Sequence, residues 1–227
     1  MAKGSKGNKN ISVMGGGSIK APEKANSKNG KPNDATEYYV SGEGMWINQY
    51  LRGRGDFGEL SDSEKQYIKD LDTATNGKIT DETLYRSVDA KAIFGNIDGY
   101  DYDNLRQLVV YGDSAFDKGA YSQGLKKQAT DTLNKTLNKT ITEKGYMSTT
   151  TSENVAADWG DFTGAENPII MKITPSKNTK GVNLSGYDKN VSSSEAQHER
   201  LLARNQQYDI KKIYGKNGYI YVDAKMR

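Results

Sequence analysis

The sequence predicts one α+β domain behind a basic N-terminal tail. Three observations predict it. Helical spacing of apolar residues dominates before Gly145. Short β-type runs dominate after it. Residues 1–33 carry seven Lys, one Glu and few apolar positions. Helices first and strands later is the order of an α+β fold. With 227 residues, 34% of them hydrophobic, and fifteen Tyr, the chain can close one medium core. The tail is taken as residues 1–36 and the folded domain as residues 37–227.

The tail has a net charge of +6 over residues 1–33, which leaves −3 on the rest of a +3 chain. Gly15-Gly16-Gly17, Pro22 and Pro32 suit a linker with no core of its own. Its alternative role is an electrostatic contact with a polyanion or an acidic partner.

Met45, Trp46, Ile47, Tyr50 and Leu51 have the spacing of a short amphipathic helix. Ser61-Asp62-Ser63-Glu64 reads as a capping box. The helix it opens places Tyr67, Ile68 and Leu71 on one face and ends at Asn76-Gly77. Residues 83–88 read as a strand, and residues 102–111 and 114–140 as helix. The period-four run from Thr132 to Thr140 puts Leu133, Leu137 and Ile141 on one helical stripe. Strands are expected at Tyr146–Thr149, Ile169–Thr174, Gly181–Leu184, Glu199–Leu202, Tyr208–Ile213 and Tyr219–Val222. Residues 151–168 are expected as a loop.

Composition excludes several classes. No apolar run is long enough to span a membrane. With no Cys and one His, disulfides, thiolate metal sites and multi-His zinc sites are excluded. No metal is expected. The N-terminus lacks the apolar core of a secretory signal. The expected setting is the cytoplasm where the chain is made, as for a phage-encoded enzyme, or delivery without a cleaved signal. A monomer is expected.

Three short motifs remain: Tyr85-Arg86-Ser87, Ser148-Thr149-Thr150 and Gln197-His198-Glu199. Strand alternation puts Gln197, Glu199 and Leu201 on one face and His198, Arg200 and Leu202 on the other. Each motif alone is an ordinary polar strand end. In this order, with Ile47-Asn48-Gln49-Tyr50-Leu51-Arg52 upstream and Pro168–Ile173 and Tyr208-Asp209-Ile210 around them, they resemble the Arg/Ser-Thr-Ser/Gln-x-Glu signature of mono-ADP-ribosyltransferase exoenzymes. The pattern is similar to that of clostridial Rho-modifying exoenzymes and extends over residues 45–225.

The resemblance implies an ADP-ribosyltransferase-like fold, with N-terminal helices and a mixed or antiparallel two-sheet β core. It implies NAD as the substrate. Breaking the nicotinamide–ribose bond develops positive charge on the sugar, as in glycoside hydrolysis. A carboxylate stabilises that charge, and the matching residue is Glu199. Ser148 matches the serine that orients it. Arg86 and Arg52 match the diphosphate ligands, a task suited to guanidinium forks. Tyr85 and Thr149 accompany these motifs as NAD contacts, and Trp159 and Phe162 are candidates to stack on nicotinamide.

Gln197 matches the acceptor-contacting position. A Gln hydrogen-bonds an amide but takes no guanidinium proton, which favours an Asn-like acceptor over Arg. The implied partner is a macromolecule, most simply a protein, with a small GTPase implied by resemblance alone. The alternatives are a nucleic-acid or nucleotide-base acceptor and a non-catalytic, particle-associated protein of this fold. Two departures stand out. Ser194 occupies the place of a substrate-contacting aromatic residue, with Tyr187 nearby. Residues 151–168 contain no Arg or Lys.

Overall fold

The computed structural model describes residues 30–54, 58–79, 83–162, 167–185 and 198–227. Three helices come first: α1 (Asp34–Tyr38), α2 (Gly44–Leu51) and α3 (Asp62–Ala74). A π-helical turn, Tyr39–Glu43, joins α1 to α2. Asn33 caps α1: its side chain accepts from the Thr36 N–H, and Thr36 Oγ1 accepts from the Asn33 N–H. Ala35 and Thr36 are fully buried. Asn33, Ala35 and Thr36, inside the stretch taken as tail, are therefore packed with the domain.

The capping box of α3 forms as predicted, with Glu64 N–H donating to Ser61 Oγ and Ser61 N–H donating to Glu64 Oε2. Tyr67, Ile68 and Leu71 are buried. Gly77 already belongs to β1 (Gly77–Lys78). A Cβ there would lie 2.5 Å from Gly30 Cα and 2.9 Å from the Gly181 oxygen, so the position takes no side chain.

β2 (Leu84–Asp89) is followed by α4 (Lys91–Phe94), α5 (Gly99–Arg106) and α6 (Ala120–Thr136). α6 stops short of the predicted helix. Leu137 turns to extended backbone, and the Asn138 N–H donates to the Ile210 oxygen. Ile141 then sits in β3 (Thr140–Glu143), paired with Tyr208. The two copies of one local repeat thus adopt different structures because strand pairing overrides helix propensity in the second. Past β4 (Met147–Thr150), residues expected as loop form α7 (Glu153–Phe162). The remaining strands are β5 (Pro168–Thr174), β6 (Lys180–Asn183), β7 (Glu199–Leu202), β8 (Gln206–Lys216) and β9 (Tyr219–Met226).

The strands hydrogen-bond in the order β1-β6-β7-β4-β2-β5-β9-β8-β3. The β5–β9 pair is parallel, and the other pairs among the described residues are antiparallel. Where two sheets were expected, there is one mixed sheet with a narrow waist. β2 and β4 share a single register pair, Tyr85 with Thr150. Two apolar clusters pack against the sheet. One gathers Leu84, Ile93, Leu105, Met171 and Val222. The other gathers Ala35, Ile47, Leu71, Tyr146 and Leu201. Among the described residues no helix is long and apolar enough to cross a membrane.

Candidate active site

The three motifs meet at the waist. Thr150 of β4 pairs with Tyr85 of β2 on one side and with Glu199 of β7 on the other. Ser148 lies opposite Leu201, so Ser148, Thr150, Glu199 and Leu201 share a face of the β4–β7 pair.

The phenol of Tyr39 joins them. It is buried, hydrogen-bonded to Ser148, and accepts from Asn48 Nδ2 at 2.6 Å. Burial raises its pKa, against the pull of those two bonds and of Arg86, while the charge of Glu199 adds to the rise. Tyr39 is therefore within electrostatic reach of both Arg86 and Glu199.

Arg86 follows the last residue that β2 shares with β4. Its Nε is buried with no hydrogen-bond partner. Burial lowers its pKa, and the carboxylate of Glu143 opposes that shift while Arg52 reinforces it. A buried, unpaired guanidinium nitrogen costs about 1–3 kcal/mol or more, a cost removed when an anion arrives.

Arg52, in the turn after α2, donates from Nε to Glu143 Oε1 at 2.8 Å. The same oxygen accepts from the Gly145 N–H at 2.9 Å. Burial pushes the Glu143 carboxyl up, but the Arg52 bond, the charges of both arginines and the Gly145 amide together hold it below its ordinary value. Two guanidinium groups thus face one carboxylate, which leaves net positive charge suited to a diphosphate. Gly145 permits this approach: a Cβ there would lie 2.6 Å from Asn48 Oδ1 and 3.2 Å from the Arg52 guanidinium carbon.

Glu143 gives a pH signature. Its folded pKa lies below the unfolded one, so its stabilisation is complete above the unfolded value of about 4.5 and is lost as pH falls through the folded value. Glu143→Gln should cost about 1–3 kcal/mol at pH 7. The difference in thermal stability should shrink below about pH 4.5. A gap that stayed constant down to acid pH would show that the carboxylate charge is not what stabilises.

Arg52, Arg86, Ser148 and Glu199, all singled out by sequence, come together here. Tyr85 pairs with Thr150, on the sheet face that carries Ser148 and Glu199, and lies near Tyr214. Thr149 is fully buried and donates to the Arg200 oxygen at 2.6 Å, so its hydroxyl serves the β4–β7 pairing. Trp159 is half-buried on α7, which rests on β2, β4 and β5. Gln197, Ser194, Tyr187 and the Phe162 side chain lie outside the described residues. Among the described residues no cluster of His, Cys, Asp and Glu is able to hold a metal ion.

Sequence reasoning missed Tyr39, Asn48 and Glu143. Asn48 had a signal: it stands four residues before Arg52 on one helix face. Tyr39 and Glu143 had none, because tertiary contacts alone define their roles.

A family model described as ADP-ribosyltransferase exoenzyme matches residues 17–226. Several solved structures share the fold. C3stau2 from S. aureus, solved with NAD, is 24% identical with a TM-score of 0.57, covering 85% of this chain and 84% of that one. The C3 exoenzyme of Clostridium limosum is 22% identical with a TM-score of 0.55, covering 86% of this chain and 83% of that one. BECa, from a binary enterotoxin of C. perfringens and solved with NADH, is 17% identical with a TM-score of 0.56, covering 85% of this chain and 42% of that one. No curated protein matches in sequence.

Proposed function

We propose an amide-type protein side chain as the acceptor for this chain, which belongs to the ADP-ribosyltransferase exoenzyme family and transfers ADP-ribose from NAD. Arg86 and Arg52 bind the diphosphate. The observation that carries this assignment is the buried, partnerless Nε of Arg86 beside a second arginine. Glu199 stabilises the cationic sugar as the bond to nicotinamide breaks and its electron pair leaves with the ring. Ser148 and Tyr39 set the polar surroundings of that carboxylate. The acceptor nucleophile then bonds to the sugar carbon and loses its proton.

Gln197 directs the acceptor. It stands two residues before Glu199, where its amide reads a neutral group and offers nothing to a guanidinium proton. A Rho-type small GTPase is the acceptor favoured by resemblance. Mass spectrometry after incubation with NAD and either that purified GTPase or RNA tests the class. Modified GTPase is the expected result. Modified RNA alone would overturn the protein acceptor.

Gln197→Ala should keep NAD hydrolysis within about threefold of the parent and lose most transfer. Water needs no guide, whereas a macromolecular acceptor does. The ratio of nicotinamide release to acceptor labelling reads this. Equal losses of both would place Gln197 with the NAD contacts.

A further inference from the structure

Arg200 follows Glu199 on β7 but belongs to the opposite face, away from the reacting groups. It is buried. Its Nη1 gathers four acceptors: Asn183 Oδ1 at 2.7 Å, Ser185 Oγ at 2.6 Å, and the oxygens of His198 and Glu199 at 3.3 Å each. The two short contacts join it to the end of β6 and the residues just after. The two longer ones join it to the backbone entering β7. One guanidinium therefore ties residues 183–185 to residues 198–199.

The backbone at this point needs holding. His198 has φ +45°, a left-handed conformation that a non-glycine residue seldom adopts and that costs about 1–3 kcal/mol. Glu199 is the first residue of its strand, where pairing frays most readily. Thr149 donates to the Arg200 oxygen, so Arg200 is fixed through its backbone as well as its side chain. The Leu184 N–H donates to the Glu199 oxygen at 2.9 Å, so residues 183–185 and 198–199 lie side by side as a neck.

We propose that Arg200 is a positioning residue that clamps the two sides of the neck and thereby holds the Glu199 carboxylate in its working place. The proposal rests on the reading of Glu199 as the charge-stabilising group. It assigns Arg200 no contact with NAD, because the diphosphate ligands stand at the end of α2 and on β2. Loosening the clamp should lower turnover and leave NAD binding alone.

Arg200→Met tests this. It keeps the aliphatic stem and removes the guanidinium. Asn183 and Ser185 are exposed and can bond water instead, so the fold should survive. The expected result is a fall in kcat for nicotinamide release of at least about fivefold, with KM for NAD within about twofold. Amide exchange at Leu184 should rise about tenfold, with exchange at Val222 in β9 unchanged. Arg200→Lys should recover part of the loss, since an ammonium keeps the charge but not the fork. Faster Leu184 exchange with normal kcat would overturn the proposal. So would a loss of kcat accompanied by faster exchange at Val222, which would mean general destabilisation. Glu199→Gln, measured beside it, separates the two readings. Wild-type turnover in Glu199→Gln overturns the carboxylate assignment. Wild-type turnover in Arg200→Met beside an inactive Glu199→Gln overturns the clamp.

Discussion

Glu199→Gln should lower nicotinamide release by about 10²–10³-fold while the melting temperature stays near that of the parent. The swap preserves shape and removes charge. Glu199 faces a cluster that includes the Tyr39 phenol, whose pKa its charge helps to raise. A neutral amide at this place leaves the cationic sugar without its counter-charge. Binding of NAD should change little, because the diphosphate is held elsewhere. Turnover above about a tenth of the parent rate would remove Glu199 from the chemistry.

Arg86→Met should weaken NAD binding by about 10–100-fold, as expected for a lost charge-assisted bond of about 1.5–3 kcal/mol. The same change should leave the free protein as stable as before, or more so. In the free protein the Arg86 Nε has been stripped of water and given no partner. Replacing a buried guanidinium that carries an unsatisfied nitrogen with an apolar side chain of similar length removes that cost. Glu143 keeps Arg52 as its counter-ion in the variant. Calorimetry with NAD and a thermal melt without it check the two halves. Unchanged affinity in a folded variant would move the diphosphate site away from Arg86.

Much of this was legible in the sequence, and the residues that were not show why. The α3 capping box and the strand at Glu199–Leu202 follow from local patterns, and the grouping of Arg86, Ser148 and Glu199 from the family resemblance their motifs carry. Thr149 shows the reach of a simple rule: the period of two that separates Glu199 from Arg200 also separates Thr149 from Ser148. Ile141 was misplaced because the Thr132–Thr140 run has the same local composition throughout, and only its pairing with β8 distinguishes the second copy. Tyr39 was invisible. A tyrosine at the start of a π-helical turn becomes central to the site only when β4 and β7 pass beneath it.

The single register pair between β2 and β4 has a mechanical consequence. Arg86 stands on one half of the sheet and Glu199 on the other, so the substrate is gripped across a joint. One backbone rung gives that joint little shear stiffness. α7 rests on β2, β4 and β5 and acts as a splint over it. The spacing between the anchoring end and the reacting end of the site therefore depends on how α7 is seated, together with the apolar cluster that joins Leu84 of β2 to Met147 of β4.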